Sequence, residues 1–288
     1  MTEVSDSSLV IRNIAIATDF SPWSDRAMQH ALLVAHKFGA VLHLIHTVRR
    51  SEFAFVPDLM VRLDELAERD GENLMSVLHA AHSLDGIQHH YWNLHGECSE
   101  VFGKFLSDQK IDLLVLGTRG RSGISKLLLG SIAEEISKCV STPVLAVGPA
   151  SRDATWQLEV KKVLFAADLS MESSAALPYV LTAAKTWRAK LDILCLSGNS
   201  NGQHFTEGFN RNIDILAASK QDLSVQYHIQ PGAPSTTVLH FAQRNKADLI
   251  VLGLDHHGSR FGGFSLSHAY EIVRQSTCPV LEISSEVR

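Results

Sequence analysis

Apolar positions along this chain follow two rhythms that alternate. Short continuous runs (Ile14 to Thr18, Val41 to Val48, Asp112 to Leu116, Pro143 to Val147) are separated by stretches in which apolar residues return every three to four positions. A continuous Val/Ile/Leu run suits a strand buried on both faces, and the longer spacing suits a helix with one buried side. The pattern predicts a strand, a helix from Trp23 to Phe38, a second strand, a helix over 57–84 and extended chain over 87–95. A helix over 99–109, a strand, a glycine-rich loop, a helix from Ser131 to Cys139 and a last strand complete it.

The pattern then starts again. IRNIAIATDFS from Ile11 aligns with VKKVLFAADLS from Val160, placing Asp19 on Asp168 and Ser21 on Ser170, 149 positions on. IDLLVLG ending at Gly117 aligns with ADLIVLG ending at Gly253 at an offset of 136, which also places Gly96 on Gly232 and Pro143 on Pro279. The second copy is therefore shorter in its middle, between Gly198 and Gly232. Two domains are expected, 1–150 and 151–288, with the polar, aperiodic stretch from Pro149 to Glu159 as the link.

Strands alternating with helices imply a parallel sheet, and right-handed crossovers put helices on both of its sides. The expected fold class is α/β: two tandem, doubly wound, Rossmann-like domains. Ligands of such sheets bind beyond the carboxyl ends of the strands. Asp19 and the loop after the fourth strand sit at that edge.

The loop runs from Gly117 through Arg119, Gly120, Arg121, Gly123 and Lys126 to Gly130 and Ser131. Glycines without a Cβ let main-chain N–H groups approach an anion, and Gly130-Ser131 opens a helix whose first N–H groups lack partners. Arg119, Arg121 and Lys126 add three cations with no acid between Gly117 and Ser131. Ser131 can cap the helix or donate to a phosphate oxygen. The same residues also suit an ordinary surface turn with a helix cap. Neither Walker A nor G-x-G-x-x-G is present.

Together, the T-D-F-S and A-D-L-S strand ends, the strand LHLIHTV and the spacing Gly117-x2-Gly120-x9-Gly130-Ser131 resemble the universal stress protein family in its tandem form. The resemblance covers nearly the whole chain. It implies ATP binding in the first copy, with Asp19 near the adenosine and main-chain contacts to adenine from the end of strand two near Thr47. Gly117, Arg119, Gly120, Arg121, Gly130 and Ser131 then surround the phosphates, with Mg²⁺ compatible at Ser131. It also implies that the last strand joins the two copies as an internal pseudo-dimer, with homodimerisation of the chain open. Asp19 equally suits a cap for the helix near Trp23.

The second copy departs from this motif. His256 stands where Gly120 stands, Leu266 where Gly130 stands and Asp255 where Arg119 stands. A side chain at 266 obstructs the helix start and the Asp255 carboxylate repels phosphate, so no ATP site is expected there.

Composition narrows the rest. The chain has 288 residues, 45% hydrophobic and 20% charged, enough to bury a large core. Its net charge of −5 argues against general nucleic-acid or anionic-membrane binding. No apolar run approaches a membrane span of ~20 residues, and the N-terminus lacks a secretory pattern, so a cytoplasmic protein is expected. Cys98, Cys139, Cys195 and Cys278 form no C-x-x-C, and the crowded His79, His82, His89 and His90 have no zinc-site spacing. His46 reads as a hydrogen-bonded core residue, and Leu59, Leu63, Leu66, Val77 and Leu78 as helix-to-sheet packing. G-x-S-x-G and H-E-x-x-H are missing and no general base is named, so binding is expected rather than catalysis. A nucleotide-independent scaffold or small-ligand carrier, and a slow ATPase, are the alternative readings.

Overall fold

The computed structural model describes residues 10–48, 57–118, 131–152, 159–167, 171–197, 223–255 and 264–284. In the front copy the strands are β1 (Asn13–Ala17), β2 (Val41–Val48), β3 (His89–His95), β4 (Leu113–Gly117) and β5 (Val144–Val147). Between them run α1 (Pro22–Phe38), α2 (Pro57–Ala80), α3 (Cys98–Asp108) and α4 (Ser131–Cys139). The rear copy comprises β6 (Lys162–Ala167), α5 (Met171–Trp187), β7 (Lys190–Ser197), β8 (Val225–Pro231), α6 (Pro234–Asn245) and β9 (Leu249–Asp255). It closes with β10 (Phe264–Ser265), α7 (Leu266–Gln275) and β11 (Val280–Ser284). The mixed α/β architecture read from the alternating runs is the one observed.

Local chemistry accounts for the element ends. Ser21 caps α1 by accepting from the Ser24 N–H at 3.2 Å, Pro22 follows at the first turn, and Gly39 closes the helix at φ 63°. Ala27, Met28, Ala31, Leu32 and Ala35 form its buried stripe. The aspartate that both copies carry before β4 and β9 turns out to be structural. Asp112 Oδ2 accepts from the N–H groups of Arg12 and Asn13 at 2.7 and 2.9 Å, and Asp248 Oδ2 from those of Lys161 and Lys162, both at 3.0 Å.

One sheet runs through both copies in the order β3-β2-β1-β4-β5-β11-β9-β6-β7-β8, with β10 beside β9. Among the described residues every pairing is parallel except β5 with β11, where Val144, Leu145 and Ala146 lie opposite Glu282, Leu281 and Val280. A buried cluster on one face includes Leu145 and Val147 of the front copy together with Val163, Leu281 and Ile283 of the rear. The seam is also backbone-tight: a Cβ on Gly148 would lie 1.9 Å from the Val273 carbonyl oxygen of α7. The chain after β5 is tied down as well. Arg26 donates to the Pro149 carbonyl at 3.0 Å, the Arg152 N–H to the Thr277 carbonyl at 3.0 Å, and His30 Nε2 lies 3.2 Å from the Arg152 carbonyl.

Helix α2 corrects part of the expected stripe. Leu66 and Val77 are exposed, at 43% and 63%, whereas Ala67 and Leu78 are buried and Leu74 and Met75 pack on the core. The sheet selects the helix face through β3, because Tyr91 donates its hydroxyl to the Ala67 carbonyl at 3.2 Å. Leu59 and the other side chains of 57–60 lie outside the described residues.

Candidate functional site

In the front copy β2 lies on one side of β1 and β4 on the other, so the chain reverses its direction of travel across the sheet at β1/β4. A crevice opens at such a reversal, beyond the carboxyl ends of the strands. Ala17 is in register with Ile45 and with Leu116. Asp19 follows two residues after the end of β1, Thr47 lies near the carboxyl end of β2, and Gly117 is the last residue of β4. Three residues singled out by sequence therefore stand at the carboxyl ends of three adjacent strands.

The turn after β1 is held by its own side chains. Asp19 Oδ1 accepts from the Ser21 N–H at 3.1 Å, Thr18 Oγ1 from the Phe20 N–H at 3.0 Å, and the Ser24 hydroxyl donates to the Ser21 carbonyl at 2.9 Å. Asp19 therefore does not cap α1. Ser21 does, because it occupies the extended residue just before the first helical turn, and Asp19 braces the turn one step earlier. Asp25, in the first turn of α1, has its carboxyl pushed up by partial burial and then by the charge of Asp19.

Phe20 is a residue of this turn that the sequence does not announce. Its φ of 58° is the left-handed region, sparsely used by residues with a Cβ. Its ring lies 4.5 Å from that of His46, tilted 37°. His46 is half-buried, with Nδ1 2.8 Å from the Thr18 carbonyl oxygen, so it ties the end of β2 to the turn. The position directly after Asp19 in T-D-F-S was the available signal, but nothing local announces a positive φ at a phenylalanine.

Gly117 has a packing reason to lack a side chain. A Cβ there would lie 2.8 Å from the Trp23 carbonyl oxygen and 3.3 Å from the Ser24 nitrogen. The glycine thus lets β4 run against the start of α1, which brings the two sides of the crevice together. Thr18 and Thr118 are buried beside it. The Thr118 N–H and hydroxyl both donate to the Val147 carbonyl, at 3.2 and 3.3 Å. The Thr47 hydroxyl, at the carboxyl end of β2, is buried with no hydrogen-bond partner among the described residues. An orphaned buried hydroxyl costs ~1–3 kcal/mol, and a polar group of a ligand at this edge would satisfy it.

Arg119, Gly120, Arg121, Lys126 and Gly130 lie outside the described residues, within 119–130. Ser131 is the first residue of α4, and its side chain is not described. The helix start that the sequence assigns to phosphate is thus present at the expected residue. Among the described residues no group of three or more His, Cys, Asp or Glu side chains is arranged to hold a metal ion.

The corresponding helix start in the rear copy serves itself. Ser265 caps α7, its Oγ 3.4 Å from the His268 N–H, 2.8 Å from Ser267 Oγ and 3.2 Å from His268 Nδ1. Phe264, 1% exposed, anchors the preceding residue in the core. Asp168, His256 and the side chain of Asp255 lie outside the described residues.

Comparison with known proteins gives two matches to the model of the universal stress protein family, over residues 11–148 and 159–283. A universal stress protein of Methanocaldococcus jannaschii is 32% identical over 138 residues, covering 47% of this chain and 81% of that protein. A solved universal stress protein from Archaeoglobus fulgidus superposes with a TM-score of 0.72 at 21% identity, covering 94% of this chain and 96% of that one. A universal stress protein solved in complex with cAMP is 22% identical, covering 45% of this chain and 100% of that one, with a TM-score of 0.37. Among the described residues no helix is long and apolar enough to cross a membrane.

Proposed function

This chain belongs to the universal stress protein family, as a tandem member with one family unit in each half, and on that premise we propose that its front copy is an ATP-binding unit of a stress-response protein. Asp19 and the end of β2 at Thr47 address the adenosine. The main-chain N–H groups of Gly117, Gly120 and Gly130, with Arg119, Arg121 and Ser131, hold the phosphates at the start of α4, where the helix dipole favours negative charge. Mg²⁺ would contribute charge neutralisation at the phosphates near Ser131. The rear copy carries no equivalent site, because Leu266 replaces the glycine at its helix start and Ser265 occupies the capping role there. The two copies, residues 1–150 and 151–288, act as an internal pair, joined through β5 and β11, with Pro149 to Glu159 as the link. The bound nucleotide favours one arrangement or partner over another, which requires unequal affinity for two states.

The observation that carries this reading is the alignment of the Asp19 turn, the unsatisfied Thr47 hydroxyl and Gly117 on neighbouring strand ends at the β1/β4 reversal. Calorimetric titration of ATP, ADP, AMP and cAMP into metal-free protein, repeated with Mg²⁺, tests it. One ATP site per chain is expected, abolished by Gly130→Val. Asp19→Ala is expected to weaken ATP about tenfold, the loss of one hydrogen bond to a charged group, while tripolyphosphate affinity stays unchanged. Two equivalent sites per chain, or none, would overturn the assignment. Binding is the proposed activity, so steady phosphate release faster than ~1 s⁻¹, within the ordinary enzyme range, would contradict it.

A further inference from the structure

Of the histidines gathered around α2 and β3, most are already committed. His82 Nδ1 lies 3.0 Å from Asp85 Oδ2, and His95 Nδ1 lies 3.2 Å from Asp64 Oδ1. His43 and His90 face each other with ring centroids 5.5 Å apart. The Trp92 indole N–H only donates, so the His43 Nδ1 that it reaches at 3.1 Å is bare, and the neutral ring carries its proton on Nε2. One pair is left. The rings of His79 and His89 have centroids 5.2 Å apart, with their planes tilted by 60°.

The fold brings these two together. His79 stands in the last turn of α2 and His89 opens β3. Between them the chain reverses through His82 and Gly86, at φ 55° and 74°. Leu78, Leu84 and Ile87 are buried and anchor the reversal in the core. Side chains alternate along a strand, so His89 shares the α2 side of the sheet with Tyr91, while His90 and Trp92 face the other way. The backbone beside both rings is therefore fixed before any ligand arrives.

The proton on His89 is fixed as well. Its Nδ1 lies 2.8 Å from the Ile87 carbonyl oxygen. A carbonyl oxygen only accepts, so Nδ1 holds the proton and the neutral ring presents Nε2 as a lone pair. One nitrogen held by a main-chain carbonyl, with the other free, is the arrangement that metal-binding imidazoles adopt. The exposed His79 ring has no hydrogen bond or ion pair to any described residue, so it can turn a nitrogen to the same point. Two imidazoles on one ion, with metal–nitrogen bonds of ~2.0–2.1 Å at right to near-tetrahedral angles, place their centroids about 4.5–5.5 Å apart. The observed separation falls within that range.

We propose that His79 and His89 form a two-histidine site for a divalent transition-metal ion of the zinc, nickel and copper class. Imidazole nitrogen suits those ions, whereas Mg²⁺ and Ca²⁺ take oxygen. Among the described residues no third His, Cys, Asp or Glu joins the pair, so water completes the coordination and the ion exchanges. The bound ion ties the end of α2 to β3, the outermost strand of the front copy. His89 lies at the amino end of its strand, so the site is at the opposite edge of the sheet from the crevice and does not depend on nucleotide there.

Zn²⁺ is the probe, titrated into the full chain at neutral pH and followed by calorimetry and by nitrogen NMR spectra of the imidazole rings. His79→Ala and His89→Ala should each weaken the tightest site by about tenfold or more, since even an outer partner of a metal ligand contributes that much. His82→Asn, which keeps a residue tolerant of positive φ, should bind as the parent does. In the parent, His89 Nε2 should shift on saturation while Nδ1 keeps its proton. Unchanged affinity in either alanine variant would overturn the proposal, as would an equal loss in His82→Asn. Should an alanine variant fail to fold, the parent's ring spectra decide: shifts at both His79 and His89 uphold the site, and their absence removes it.

Discussion

Glu282 offers the sharpest test of how the two copies are joined. It lies on β11 opposite Val144 of β5 and beside Leu252 of β9, is 4% exposed, and its carboxylate has no hydrogen bond or ion pair to any described residue. Burial pushes its carboxyl from 4.5 up to about 8. An acid with a raised pKa in the folded state is neutral there while the unfolded chain is already ionised. Its contribution is therefore unfavourable above the unfolded pKa, and the penalty grows until pH reaches the folded pKa. At pH 7 the chain has passed about 2.5 units beyond the unfolded value, which at 1.36 kcal/mol per unit is about 3 kcal/mol. Glu282→Gln keeps the shape and removes the titration. Below pH 4.5 the two proteins should melt together. Between pH 4.5 and 8 the variant should gain steadily, by at least about 5 °C at pH 7, and the gap should level off above pH 8. A gap that does not change with pH would refute the reasoning, since it would mean that the carboxylate does not titrate within a dry seam.

Two further substitutions probe the same packing logic. Gly148→Ala places a Cβ 1.9 Å from the Val273 carbonyl oxygen and should destabilise by ~1–3 kcal/mol; truncating the Val273 side chain should not rescue it in thermal melts, because the obstructing atom is main chain. His43 is 4% exposed, its Nδ1 accepts from the Trp92 indole N–H at 3.1 Å, and its Nε2 has no partner among the described residues. Trp92→Phe should therefore cost ~1–3 kcal/mol by orphaning the second nitrogen as well, and pairing it with His43→Leu should recover most of that loss in denaturant titrations.

How far the sequence carried the fold is visible in particular elements. The helix from Ser131 to Cys139 and the strand from Val41 to Val48 were read to the residue, because periodicity and caps are properties of the local chain. The face that α2 buries differs from the expected stripe at Leu66 and Val77, since the side chains of the neighbouring strand β3 select which side of an amphipathic helix the sheet accepts. At the candidate site, Asp19, Thr47 and Gly117 were legible as strand-end residues. Phe20 at positive φ and its contact with His46 were not, because strain at one residue is sustained by neighbours that the chain supplies later.

Order, repeat and strand-end chemistry belong to the sequence itself: hydrophobic spacing sets the run of strands and helices, and the internal offsets of 149 and 136 declare two copies of one unit. The tertiary structure alone decided that Glu282 is buried at the seam and that Gly148 must admit a carbonyl of α7. The physical reason is distance along the chain. A spacing of three or four residues is written locally, whereas the fit between surfaces more than a hundred residues apart exists only once both have folded and met.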